Sequence, residues 1–85
     1  MEIDVIVSLP IGDRTERNEY NEMTKDMEAF GTLVKSDMGA FGYRYWLVVP
    51  KGTNSKQLKL QINDMLLDYY GLEVEQLWDD SGYVY

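Results

Sequence analysis

Closely spaced carboxylates are the side chains in this sequence with the clearest potential for chemistry. Asp64 and Asp68 are four residues apart, which places both on one face of a helix, and the segment 79–82 reads Asp-Asp-Ser-Gly, a turn rich in oxygen donors. Such groups can bind Mg²⁺ or Ca²⁺ loosely, or act as a general acid and base. The ligand spacing of an EF-hand and a glycine-rich phosphate loop are both absent. We therefore expect a solvated acidic surface and no metal site.

The residue types missing from the chain narrow its chemistry further. None of its 85 residues is a cysteine or a histidine. The absence of cysteine excludes disulfides, thiolate metal sites and cysteine nucleophiles. The absence of histidine removes the commonest general base near neutral pH and the base of a Ser-His nucleophile pair. We predict that the protein is not an enzyme and uses no cofactor.

The negative charge is concentrated in the last third of the chain. The net charge is −7, with nine acids and eight bases in residues 1–59 but six acids and no base in residues 60–85. Such a field repels nucleic acid and anionic membranes and attracts basic protein surfaces. No apolar stretch approaches the length of a membrane span. We expect a cytoplasmic protein whose partner carries a basic surface.

The hydrophobic pattern predicts four strands and two helices in a single domain over residues 1–85. Strands are predicted over 3–7, 32–37, 43–49 and 72–77. The middle two are expected to form a hairpin across a glycine-rich connection. Apolar residues at three- and four-residue spacing predict one helix before this hairpin and another after it.

Helix-end signals accompany both predicted helices. Asp13 and Glu16 have the spacing of an N-cap and its N3 partner, and so do Asn54 and Gln57. Gly31 is placed to end the first helix as a C′ residue. In the first helix, a stripe of Glu19, Glu22 and Asp26 flanks the apolar face and is typical of an ordinary exposed helix surface.

The two halves of the chain repeat their turn residues at an offset of forty positions, in the pairs Pro10 and Pro50, Gly12 and Gly52, and Gly31 and Gly71. Two strand-helix-strand halves of this length are most simply arranged as βαββαβ. The predicted fold class is therefore α+β, the ferredoxin-like arrangement, with a four-stranded antiparallel sheet and two helices on one face.

The third strand carries a resemblance to a known family. Phe41-Gly42-Tyr43 resembles the middle of the aromatic signature of the RNA-recognition-motif family, and Leu9-Pro10, Phe30-Gly31 and the chain length are also similar to that family. Met38 stands where the family has a basic residue, and Ala40 is an extra residue. The resemblance implies base stacking on an open sheet face. RNA binding through Phe41, Tyr43, Arg44 and Tyr45 is therefore one alternative function.

Both faces of this third strand are apolar. Tyr43, Tyr45, Leu47 and Val49 share one face, and Arg44, Trp46 and Val48 share the other. The pattern leaves open which face is buried under the helices. A structural homodimer, joined through the open sheet face, is a second alternative function.

Our first hypothesis is a non-catalytic inhibitor or modulator that blocks a basic, nucleic-acid-binding site on a larger protein. In size, acidity and lack of catalytic residues the chain is similar to phage-encoded inhibitors of host proteins, such as DNA mimics and anti-CRISPR proteins, and this likeness implies the host cytoplasm as the location. Aromatic residues anchor interfaces, and carboxylates pair with a partner's lysines and arginines. The predicted partner-binding residues are Asp64, Asp68, Tyr69, Glu73, Glu75, Trp78, Asp79, Asp80, Tyr83 and Tyr85.

Overall fold

The computed structural model describes residues 1–85 and shows the predicted order of elements. They are β1 (Glu2–Ser8), α1 (Arg17–Met27), β2 (Thr32–Met38), β3 (Gly42–Val48), α2 (Ser55–Leu66) and β4 (Glu73–Trp78). Each predicted strand is found within one or two residues of its expected bounds. Neither helix has the length and the apolar character that a membrane span requires.

The four strands form one sheet in the order β2-β3-β1-β4, and every neighbouring pair is antiparallel. This is the order of the ferredoxin-like fold, so the predicted fold class is confirmed. β1 and β3 occupy the centre and pair without interruption from Glu2 opposite Val48 to Ser8 opposite Gly42. β2 and β4 form the edges, and each contains a register shift of the kind a β-bulge produces.

Alternation along the central strands decides which sheet face is buried. Ile3, Val5 and Val7 of β1 and Tyr43, Tyr45 and Leu47 of β3 all point into the core. Met23 and Met27 of α1 and Leu58, Ile62 and Leu66 of α2 cover them. The helices therefore lie on the tyrosine face, and the face that carries Arg44, Trp46 and Val48 is left open.

The predicted start of the first helix is wrong. Asp13 is not the N-cap, because α1 begins at Arg17 and its N-cap is Glu16, whose side chain makes no capping hydrogen bond. The backbone N–H of Asp13 closes a turn onto the carbonyl of Pro10 at 3.1 Å. The N–H of Thr15 then donates to the carbonyl of Ala40 at 3.0 Å. These tertiary hydrogen bonds hold residues 13–15 in a non-helical conformation, so the helix begins later in the chain than predicted.

The predicted role of Gly31 is also wrong. The glycines with positive φ are Gly12, Gly52, Gly71 and Gly82, and Gly31 is not among them. It does not end α1, which stops at Met27. A Cβ atom on Gly31 would instead lie 2.4 Å from the carbonyl oxygen of Val48. The chain needs glycine here because two backbone segments approach closely.

The forty-residue repeat is found in the strands and in the turns that follow them. β1 spans positions 2–8 and β3 spans 42–48. The N–H of Asp13 bonds to the carbonyl of Pro10 at 3.1 Å, and the N–H of Thr53 bonds to that of Pro50 at 3.2 Å. Gly12 and Gly52 have φ angles of 93° and 85° in these turns. The third pair of the repeat differs, because only Gly71 has a positive φ.

Replacing Asn54 with alanine is expected to lower the free energy of unfolding by about 1 kcal/mol, because the Asn54 side chain caps α2. Its Oδ1 accepts a hydrogen bond from the backbone N–H of Gln57 at 3.0 Å, as the sequence predicts. Urea denaturation measures the change. Glu16→Ala is the control, since the Glu16 side chain caps nothing, and its effect should stay within about 0.5 kcal/mol. Equal losses in the two variants would contradict the capping role.

Candidate partner-binding surface

Three tyrosine hydroxyls fix the position of α1 against the rest of the domain. The Tyr43 hydroxyl donates to Oε1 of Glu19 at 2.7 Å and accepts from the backbone N–H of Glu16 at 3.0 Å. The Tyr69 hydroxyl donates to Oδ2 of Asp26 at 2.5 Å. The Tyr45 hydroxyl lies 3.2 Å from that of Thr24. These contacts hold the acidic flank of α1 in a defined orientation.

The same tyrosines remain protonated donors at neutral pH. Burial raises the pKa of Tyr43 to about 12, and its contacts with Glu19 add to the effect. Burial likewise raises the pKa of Tyr45 and Tyr69, and the carboxylate of Asp26 raises that of Tyr69 further. A neutral phenol can donate its proton to a carboxylate without adding negative charge. Glu19 and Asp26 are therefore held by hydrogen bonds while their charge stays uncompensated.

An open groove of about 500 Å³ runs between α1 and the segment that follows α2. We call it the acidic groove, and it is lined by Glu16, Asn18, Glu19, Glu22, Asp26, Asp68, Tyr69 and Tyr70. Five of these residues are carboxylates and none is a lysine or an arginine. Tyr70 is 94% exposed at the rim. The groove thus combines one sign of charge with one freely accessible aromatic ring.

Basic side chains elsewhere do little to neutralise this charge. The one ion pair in the molecule joins Arg44 to Asp4, with 2.5 Å between Nη2 and Oδ2. Several bases lie over aromatic rings instead: Arg14 over Phe41, Arg17 over Tyr20, and both Lys35 and Arg44 over Trp46. Of these bases, only Arg44 also pairs with a carboxylate. The acidic groove therefore presents its negative field to solvent.

Comparisons with known proteins add no functional information. No protein-family model matches the sequence. Searches of curated proteins and of solved structures find no match either.

The structure brings only two of the predicted partner-binding residues into the acidic groove. Asp68 lines it with an exposed carboxylate, while Tyr69 is buried beneath it with its hydroxyl on Asp26. Asp64 is exposed on α2 but does not line the groove. Glu75 is exposed on β4, at the register shift.

Two further predicted residues, Glu73 and Trp78, lie on the open sheet face. Glu73 pairs with Ser8 and Trp78 pairs with Asp4 of β1. Trp78 is 39% exposed. These residues are separated from the acidic groove by the thickness of the sheet and its helices, so they belong to a different surface.

The remaining predicted residues, Asp79, Asp80, Tyr83 and Tyr85, form a hairpin with the end of β4. The chain turns at Asp79, and Tyr85 exchanges two backbone hydrogen bonds with Leu77, at 2.8 and 3.0 Å. The Asp79 carboxylate accepts hydrogen bonds from Ser81 and Ser55, and the Ser81 bonds lower its pKa most. The hairpin covers part of the β4 edge, and Tyr83 is 69% exposed on it. The predicted residues are therefore spread over several surfaces and do not form a single one.

The alternative RNA-binding set is divided as well. Tyr43 and Tyr45 are 1% and 0% exposed, so neither ring can stack on a base without unfolding the core. Phe41 is 64% exposed but lies beneath the guanidinium of Arg14. Arg44 is paired with Asp4. Tyr43 and Tyr45 thus belong to the core, and the open face of β3 carries Arg44 and Trp46 instead.

The carboxylates on α1 line the groove but were not among the predicted partner-binding residues. The stripe of Glu19, Glu22 and Asp26 was predictable from its spacing, but it is also the pattern of any exposed helix. Its significance depends on Asp68, which lies more than forty residues later in the chain and faces it across the groove. No three carboxylates anywhere in the molecule are placed to bind one metal ion.

Proposed function

We propose that the protein is a non-catalytic binding protein that places its acidic groove against a basic, nucleic-acid-binding site of a larger protein and so excludes the nucleic acid. The observation that carries this proposal is that every charged residue lining the groove is acidic, with five carboxylates and no base. Inhibitors that act as DNA mimics, including phage-encoded ones, work on this principle.

The spacing of the carboxylates supports the mimicry of a phosphate backbone. Glu19, Glu22 and Asp26 of α1 follow one another at intervals of three or four residues, and Glu16 is the N-cap of the same helix. The helical rise makes these steps about 4.5 to 6 Å along the axis. Phosphates follow one strand of DNA at about 3.4 Å of axial rise, which is of the same order. A protein surface that binds the phosphates of nucleic acid would therefore find negative charges at a comparable spacing on α1.

Capture of a partner at two salt concentrations tests the proposal. The purified protein serves as bait in a lysate treated with nuclease, at about 50 mM and about 500 mM salt, because screening weakens contacts between exposed charges. We expect a basic nucleic-acid-binding protein to be retained at low salt only. The captured protein is then purified, and its nucleic-acid affinity is measured with and without the bait. Partner binding that leaves this affinity unchanged would contradict exclusion.

Neutralising two carboxylates of the groove is expected to weaken that binding by about 10- to 100-fold, since each close charge pair across an interface is worth roughly 1 kcal/mol or more. The variant is Glu22→Gln with Asp68→Asn, chosen because neither side chain makes a hydrogen bond that the fold depends on. Titration calorimetry with the captured partner measures the change.

The matched control is Asp64→Asn with Glu75→Gln. It alters the net charge by the same amount, and both of its residues belong to the sequence-predicted partner-binding set, but both lie outside the groove. We expect it to change the affinity by less than about threefold, the effect of net charge alone. An equal loss in both variants would show that binding depends on overall charge and not on the groove.

A further inference from the structure

The open sheet face carries a row of side chains in register across all four strands. Lys35 of β2 pairs with Trp46 of β3, Trp46 pairs with Asp4 of β1, and Asp4 pairs with Trp78 of β4. The two tryptophans therefore stand on either side of one carboxylate. Since adjacent strands are about 4.8 Å apart, the two tryptophan backbones are separated by about 10 Å.

The β3 side of this row is filled by the protein's own cations. The Arg44 guanidinium lies 4.5 Å from the centre of the Trp46 ring, and Lys35 Nζ lies 4.9 Å from it. Arg44 also donates to both oxygens of Asp4, at 2.9 and 2.5 Å. A guanidinium stacked on an indole and paired with a carboxylate is thus already present within the fold.

The β4 side has the same geometry but lacks the cation. Arg44 and Gln76 both pair with Ile6, from opposite sides, and each stands two residues before a tryptophan. Gln76 is neutral, and its Oε1 accepts a hydrogen bond from Nε1 of Trp78 at 3.3 Å. The cation–π contacts in the molecule involve Phe41, Tyr20 and Trp46 but not Trp78. The Trp78 ring is therefore partly exposed and without a cation over it.

A groove of about 420 Å³ lies beside Trp78 and is suited to a cation. Its charged lining consists of Glu2, Asp4, Asp79 and Arg44, a sum of −2, with both tryptophans as walls. Asp4 is already paired with Arg44, which leaves Glu2 as the uncompensated carboxylate on this face. The Asp79 carboxylate accepts hydrogen bonds from Ser55, the first residue of α2, and from Ser81, so it is engaged within the fold. The negative charge and the aromatic walls together make the groove suitable for an organic cation.

We propose that this groove binds an arginine side chain of a partner protein, with the guanidinium stacked on Trp78 and paired with the carboxylate of Glu2. Arginine fits better than lysine because its planar group stacks on an aromatic ring and presents several donors in a fork, and because it is more weakly hydrated than an ammonium. The groove lies on the opposite side of the sheet from the helices. The proposal goes beyond the function proposed above and does not depend on the acidic groove.

An NMR titration of the ¹⁵N-labelled full chain with N-acetyl-arginine amide tests this site, with N-acetyl-lysine amide as the comparison. The two tryptophan indole N–H signals report separately. We expect the Trp78 signal to shift and saturate with a Kd of roughly 1 to 10 mM, and the lysine compound to bind at least about threefold more weakly. The absence of a saturable shift at Trp78 would overturn the proposal, and so would equal or tighter binding of lysine.

Gln76→Arg provides a sharper test, because it supplies Trp78 with the intramolecular cation that Trp46 already has. We expect it to weaken binding of the arginine compound at least about fivefold through direct competition and added positive charge. Gln61→Arg, on the exposed surface of α2, changes the net charge equally and should leave the Kd within about twofold. Equal effects of the two substitutions would overturn the proposal.

Glu2→Gln provides a second test that does not depend on how well Gln76→Arg folds, since Glu2 is exposed. It should weaken binding about two- to fivefold by removing one carboxylate from the groove, and an unchanged Kd would count against the assignment. Shifts confined to the amides of Glu22 and Asp68 would place the arginine in the acidic groove. That result would overturn this proposal while supporting the proposed function.

Discussion

Replacing Gly31 with alanine should lower the free energy of unfolding by about 1 to 3 kcal/mol, the usual cost of inserting a carbon into a packed site. The new Cβ would lie 2.4 Å from the carbonyl oxygen of Val48 and 2.9 Å from Cγ1 of Val49. The first of these atoms belongs to the backbone and cannot rotate away. The end of β3 is also tied to the start of β1, because the N–H of Val49 donates to the carbonyl of Met1 at 2.8 Å. A shift at Val48 would therefore disturb the two central strands.

Gly39→Ala is the matched control for this substitution. The nearest atom to its added Cβ is the Gly42 carbonyl oxygen at 3.7 Å, an ordinary contact. Gly39 has no positive φ, so alanine is tolerated there and is expected to stabilise the fold slightly by restricting the unfolded chain. Urea denaturation followed by circular dichroism compares the two variants. Similar midpoints would show that the contact between Gly31 and Val48 is not tight in solution.

Raising the pH above about 10 should progressively destabilise the protein, through the tyrosines that hold α1. In the unfolded chain a tyrosine ionises near pH 10. In the folded protein burial raises the pKa of Tyr43 to about 12 and raises the pKa of Tyr45 and Tyr69 as well. Between these values the unfolded state binds fewer protons than the native state, so stability falls as the pH rises. The stabilising effect of the neutral phenols is fully present below pH 10.

Urea midpoints measured from pH 7 to about pH 11.5 test this dependence. Tyr43→Phe should lower the stability at pH 7, since Glu19 and the N–H of Glu16 lose their partner, and it should also flatten the alkaline decline. Tyr83→Phe is the control, because that residue is 69% exposed and its hydroxyl is not placed in the core. It should retain the full decline. An unchanged slope in Tyr43→Phe would contradict the assignment to this tyrosine.

Local signals in the sequence were sufficient for the fold class. Period-two alternation in β1 and β3, helical spacing around Met23 and Ile62, and the repeated turn residues each depend on neighbours in the chain. They predict βαββαβ, and chain connectivity leaves few other ways to arrange it. Helix starts were predicted only where the cap is local: Asn54 caps α2, whereas α1 starts late because Thr15 is bonded to Ala40.

The assignment of residues to surfaces required the tertiary structure. The sequence alone determined that the chain is acidic, lacks histidine and cysteine, and forms an α+β domain, since these properties follow from composition and local periodicity. It did not determine which face of β3 is buried, because Tyr45 and Trp46 are both large and apolar and alternation is symmetric between the two faces. Packing of the helices decided which face is buried. The tertiary structure also brings the α1 carboxylates next to Asp68 and places Asp4 between two tryptophans. Contacts between residues distant in the chain are set by strand order and helix docking, which local periodicity does not encode.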